Sequence, residues 1–192
     1  MQRTTSDKPE RLAEIARDIE TDGVTPALRH GATQLVFGSG SPDAQLMFIG
    51  EAPGKQEDLS GEPFVGAAGK FLNVMLESLD LSRQDIYISN IVKYRPPDNR
   101  DPTREEIAEF VPYLKRQIDV IRPKLVIFLG RHAMNVFLPE YKISQAHGIP
   151  VSKDGHMYLP LYHPAAALYN PGMRQTLLED FSRIPAILTQ IS

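Results

Sequence analysis

The apolar positions of this chain follow two patterns that take turns along its length. Residues 45–49, 86–92, 124–129 and 157–162 are short runs of apolar, β-branched and aromatic side chains. Such runs predict strands covered on both faces of a sheet. Between and around them the apolar spacing turns helical. Leu12, Ile15, Ala16 and Ile19 mark a helix capped at Ser6, running to about residue 20 and ended by Asp22 and Gly23. Phe71, Leu72, Met75, Leu76 and Leu79 share one face of a helix over 67–78. Thr103 and Glu106 have the spacing of a capping box and open a helix to about residue 121. Further helices are expected from Gly130 to about Leu138 and over 173–191, while residues 50–66 read as one loop.

Strand and helix alternating four times predicts right-handed crossovers and a three-layer α/β/α sandwich around a central, mainly parallel four-stranded sheet. No repeat or long linker divides the chain, so residues 1–192 are expected to form one domain. In such folds ligands bind at the carboxyl ends of the strands.

Composition narrows the chemistry. With 21 Lys+Arg against 24 Asp+Glu the formal charge is −3, which argues against coating nucleic acid through overall positive charge. The chain has no cysteine, so thiolate metal sites, iron–sulfur clusters and cysteine nucleophiles have no ligands here. Apolar runs of about five residues are too short to span a membrane. The first residues lack a secretory apolar stretch, so a cytoplasmic protein is expected.

Three strand ends carry the informative residues. The first is Gly50, Glu51, Ala52, Pro53 and Gly54, where glycine admits a close ligand and proline fixes the loop. An ordinary turn with a solvated glutamate fits that stretch equally well. The second is Asn90, inside a β-rich run, whose amide offers donors and an acceptor suited to a base edge or to nearby backbone. Lys93, Arg95, Arg100 and Arg104 follow it against Asp98 and Asp101, a basic stripe suited to phosphate or to solvent. The third is His163, followed by Pro164, three alanines and Leu168. That order suits a histidine aimed into a site beside an apolar side chain on a protruding loop.

Together these fragments resemble the uracil-DNA glycosylase superfamily, most closely its family four. The resemblance rests on Val36 to Gly38, Gly50 to Gly54, Gly61 to Gly66, Ile88 to Lys93, Arg95 to Pro97 with Asn99 and Arg100, and His163 to Ala165. It implies removal of uracil from DNA by hydrolysis of the N-glycosidic bond, a base-excision step that requires base flipping. It further implies that Phe64 stacks on uracil, Asn90 reads its Watson–Crick edge and Glu57 crowds C5 where thymine carries a methyl. His163 would donate to O2 as charge develops, and Glu51 would orient water or support the sugar cation. Ala52 stands where the best-known family has a water-activating aspartate, a substitution shared with family four. Leu168 would wedge into the minor groove, or else simply pack a helix, and Lys93 and Arg95 would touch phosphate.

The chain departs from family four where that family holds a four-iron, four-sulfur cluster on four cysteines. By spacing those positions are Gly23, Pro26, Tyr94 and Phe110. No cofactor and no metal is therefore expected, with Tyr94 and Phe110 forming an apolar plug. The branch of the superfamily that traps uracil covalently uses a histidine in a basic insertion. No histidine occurs between His30 and His132, so turnover is expected. The expected partner is uracil-containing DNA, single- or double-stranded, bound by a monomer that associates with the nucleoid when acting. A uracil- or damaged-DNA-binding protein of weak activity is the alternative. A phosphate-cradling nucleotide enzyme is disfavoured because the Gly50–Gly54 loop lacks the P-loop pattern.

Overall fold

Alternate residues of each strand enter two different cores, and this splits the molecule into layers. A computed structural model describes residues 7–191. In chain order it comprises α1 (Lys8–Thr21), α2 (Pro26–Gly31), β1 (Ser39–Gly40), β2 (Leu46–Gly50), α3 (Lys55–Ser60), α4 (Ala67–Glu77) and β3 (Tyr87–Asn90). A 3-10 turn at Pro97–Asn99 leads to α5 (Arg104–Ile121), β4 (Leu125–Leu129), α6 (Arg131–Phe137), α7 (Ile143–Ala146), β5 (Val151–Lys153) and β6 (His156–Leu161). The chain closes with α8 (Ala166–Tyr169), α9 (Pro171–Phe181) and α10 (Ile184–Gln190).

Met47, Ile49, Val126 and Phe128 pack with α1, α5 and α6 on one face of the sheet. Leu46, Phe48, Leu125 and Ile127 pack with α4, α9 and α10 on the other. A strand buried on both faces is apolar at nearly every position, which is why the four predicted runs were so dense; the buried exceptions are Ser89 and Asn90 in β3. The strand order is β1-β3-β2-β4-β6-β5. β3, β2, β4 and β6 run parallel, and β1 and β5 pair antiparallel at the two edges. Chain order reverses at β2, whose neighbours are β3 on one side and β4 on the other, so a crevice opens outside their carboxyl ends.

The α/β/α sandwich and its four parallel strands match the expectation. The edge strands β1 and β5, of two and three residues, are too short to carry a period. The stretch 50–66 is not all loop, since α3 lies within it, and the closing helix breaks at Ser182 into α9 and α10. The capping box at Thr103 is present, with Glu106 bonding back to the Thr103 backbone. The cap expected at Ser6 lies outside the described residues. No helix among the described residues is long and apolar enough to cross a membrane.

The positions that resemblance assigns to cluster ligands do not fit a cluster. Tyr94 and Phe110 are 3% and 0% exposed, and their rings meet edge-on at 6.0 Å between centroids. They share one core with Val24 and Leu28. Pro26 starts α2, and Gly23 takes a positive φ of 66° in the turn before it. Aromatic packing occupies the region where thiolates would have to stand. Replacing Tyr94 and Phe110 together by alanine should lower the melting temperature by at least about 10 °C, because buried aromatic-to-alanine changes cost about 3–5 kcal/mol each. Calorimetry showing an unchanged transition would mean the plug contributes nothing.

Candidate active site

The site begins with an absent side chain. Gly50 ends β2 and pairs in register with Asn90 at the end of β3. A Cβ on Gly50 would lie 2.5 Å from Asn90 Oδ1 and 2.5 Å from the Phe64 ring. No larger residue fits while those two side chains keep their places.

Phe64 is brought there by a loop clamped at both ends. Its φ of 55° is left-handed, a strained conformation for a bulky residue that persists only where surroundings impose it. Glu57 on α3 supplies one clamp, its Oε1 accepting from the backbone N–H groups of Val65 (3.0 Å) and Gly66 (2.9 Å). Arg83 supplies the other, donating to the carbonyls of Pro63 (2.9 Å) and Phe64 and to Asn73 Oδ1 (2.8 Å). Burial lowers the Arg83 pKa from its ordinary value, and the nearby Glu62 and Glu57 oppose that. Gly69 on α4 completes the fit, since a Cβ there would fall 1.7 Å from the Phe64 carbonyl oxygen.

Asn90 is 2% exposed, and its Oδ1 is buried with no hydrogen-bond partner. Buried polar atoms are nearly always paired, so an orphan acceptor in a cavity wall marks a place for a donor. His163 follows β6 and lies against Phe64, ring centroids 5.6 Å apart. The Ala165 backbone N–H donates to its Nδ1 at 3.1 Å. Nδ1 is therefore the bare nitrogen, and the neutral ring carries its proton on Nε2. Burial, helped by repulsion from His132, pushes the His163 pKa down to about 4.

Glu51 lies at the rim. Burial, above all, raises its pKa, and the Asp101 carboxylate adds to the rise while His132 and Arg131 oppose it. His132 Nε2 stands 4.0 Å from Glu51 and 3.3 Å from Asp101. Glu51, Asp101 and His132 are close enough to face one ion, yet Asp101 is largely exposed and also bears on Glu51 directly.

Glu51, Ala52, Glu57, Phe64, Asn90 and His163 all line one cavity of about 430 Å³, within the range of small-ligand pockets. Arg95 is not among the lining residues; it is half-buried and donates to Oδ1 of Asn99, which is, at 2.7 Å. Leu168 is 41% exposed on α8, beside Tyr169 at 89%, so it projects and does not pack a core. Lys93 is not where the basic stripe placed it. It is 0% exposed and unable to touch phosphate, because the chain beyond β3 runs inward and Ile91, Val92, Lys93 and Tyr94 are all enclosed. Sequence reasoning missed Arg83, Gly69 and Asp101. Arg83 lies 19 residues from Phe64 and carries no local signal. Asp101 was noted only as a charge opposing the stripe.

The fold and cavity define an α/β protein with one pocket of mixed polar and apolar lining at the carboxyl ends of β2, β3 and β6. Residues 37–183 match the family model described as the Uracil DNA glycosylase superfamily, and the chain belongs to that superfamily. It is similar to the Type-4 uracil-DNA glycosylase of Archaeoglobus fulgidus, 45% identical over 91% of this chain and 92% of that protein. The Type-4 uracil-DNA glycosylase of Sulfurisphaera tokodaii is 47% identical over 79% of this chain and 74% of that protein. That of Thermotoga maritima is 36% identical over 93% and 96%.

The His163 geometry makes a direct prediction. NMR titration should place the midpoint of the imidazole near pH 4, with Nε2 protonated above it. The sign for stability follows: the unfolded histidine titrates near 6.5, so its contribution is complete above pH 6.5 and declines as pH falls towards 4. A midpoint of 6–7, the ordinary range for histidine, would contradict the buried, neutral ring.

Proposed function

We propose that this chain is a uracil-DNA glycosylase, similar to the family-four enzymes but without their cluster cysteines, acting as one domain over residues 1–192. The observation that carries the reading is the orphan Oδ1 of Asn90 in the cavity wall. Uracil presents N3–H as a donor between two carbonyl acceptors, so the Asn90 amide accepts from N3–H through Oδ1 and donates to O4 through its nitrogen. Cytosine presents an acceptor at N3 and a donor at C4. Both bonds are then mismatched, and unpaired buried polar groups discriminate strongly.

The base leaves the stack, at a cost of a few kcal/mol, and enters against Phe64. Glu57, held by two backbone N–H groups, forms a wall beside the base and gives a methyl at C5 no room. As the C1′–N1 bond breaks, its electron pair passes into the base. The Nε2–H of the neutral His163 meets O2, where negative charge collects, and stabilises charge present mainly in the transition state. The sugar becomes cationic, and Glu51 stands at the rim to orient the water that adds to C1′; the proton that water gives up balances the one the released uracil anion takes up. Leu168 and Tyr169 project where an apolar wedge enters the minor groove, and Arg95 lies near the phosphates. The expected cellular setting is the cytoplasm and nucleoid, with the protein acting as a monomer.

The assay is release of free uracil from a uracil-containing oligonucleotide, followed by alkaline cleavage at the abasic site. Wild-type protein should turn over many times. Asn90→Ala and His163→Ala should each slow excision by about 100-fold or more, with circular dichroism unchanged. Glu57→Ala should raise the thymine-to-uracil excision ratio. Absence of product at stoichiometric protein would reject the reading.

A further inference from the structure

Lys93 is the one lysine among the described residues that is fully enclosed. Its Nζ donates to Ser89 Oγ at 2.5 Å, Asn90 O at 2.7 Å and Gln117 Oε1 at 2.6 Å. None of these partners is a carboxylate, and a buried cation without a counter-ion is costly. Burial accordingly pulls its pKa well below the ordinary value. The partners pull the other way. The Ser89 hydroxyl donates its hydrogen to the Phe37 carbonyl at 2.9 Å, which leaves only lone pairs towards Lys93. Gln117 Nε2 donates to the same carbonyl at 3.1 Å, which turns Oε1 towards Lys93. Three acceptors thus face one nitrogen. An ammonium has three hydrogens to give them, whereas an amine has two and a lone pair that would oppose an acceptor. The Phe37 ring, its centroid 6.0 Å from Nζ, presents a further cation-favouring neighbour.

We propose that Lys93 is a charged ammonium fixed behind the pocket, a positioning residue that holds the Asn90 main chain and sets a positive potential favouring negative charge on the departing base. Its hydrogen bond to the Asn90 carbonyl ties it to the same residue whose amide faces the cavity. Ser89 and Gln117 carry the anchorage to the α5 side of the sheet, so Asn90 is held from behind by a network that never meets solvent. A fixed charge in a dry interior acts over a longer distance than one in water. The kinetic half of this inference rests on the glycosylase reading, and the charge state does not.

Two measurements test it. In wild-type protein at neutral pH, the side-chain ¹⁵N resonance of the lysine protected from solvent exchange should be that of an ammonium, and an amine resonance would overturn the proposal. Single-turnover excision of uracil and of 5-fluorouracil, a more acidic leaving group that needs less help, should then be compared in Lys93→Met and Gln117→Glu. Gln117→Glu keeps Lys93 in place and gives it a counter-charge, so it decides the kinetic half where Lys93→Met does not fold. Both should lose about tenfold on uracil and about twofold on 5-fluorouracil. Equal losses on the two bases, or none, would reduce Lys93 to a structural role and overturn the electrostatic half. A wild-type protein that releases no uracil would instead sink the glycosylase reading while leaving the resonance measurement to stand.

Discussion

At the end of β2 the backbone, the Asn90 amide and the Phe64 ring converge on one volume, and only a residue without a side chain lets all three be there. The rest of the site is arranged around that contact. The left-handed Phe64 requires the Arg83 and Glu57 clamps, and those clamps require α4 to come close, which Gly69 permits. His163 then packs against the ring from β6. Parallel register brings these groups together: Gly50 and Asn90 are paired residues of neighbouring strands, and a slip of one position in β3 would turn the Asn90 side chain to the wrong face.

Electrostatics in this molecule is local. The formal charge is −3, and Arg100 at the cavity edge is already bound to Glu106 at 2.6 Å. What the pocket offers a base is a neutral imidazole with a directed N–H, an unpaired carbonyl oxygen and a lysine sealed behind them. Each is a group whose orientation was set before any ligand arrives, which is the condition under which electrostatic catalysis is largest. Preorganisation here has a structural cost: a left-handed phenylalanine, an unpaired acceptor and a buried cation all sit within one wall.

The central sheet was legible because strands covered on both faces are largely apolar, and the short length and β-branched and aromatic content of these runs set them apart from buried helices. Glu51, Ala52, Asn90 and His163 were legible as motifs at strand ends, since topology sends strand ends to one place, whereas Glu57 on α3 and Phe64 in the following loop were legible only through the family resemblance. What escaped was held by partners distant in sequence. Arg83 looks like any surface arginine until the 63–66 loop is folded against it. Lys93 misled for the opposite reason. Flanked by Arg95 and two prolines it reads as part of a solvated basic stripe, yet the chain beyond β3 turns it inward onto Gln117, which lies 24 residues away. The absent cysteines were visible from composition alone, whereas the packing of Tyr94 on Phe110 required the fold to bring α5 against the end of β3.

The proposed reaction requires a pocket that is already formed and complementary to uracil before DNA binds. A crystal structure of the protein with an oligonucleotide carrying a non-hydrolysable 2′-fluoro-deoxyuridine tests it most directly. The flipped base should lie on Phe64, with N3–H donating to Asn90 Oδ1 and O2 accepting from His163 Nε2, and with the backbone around Gly50 and residues 63–66 unmoved. A uracil left in the duplex stack, or bound with Asn90 Oδ1 still unpaired, would contradict it.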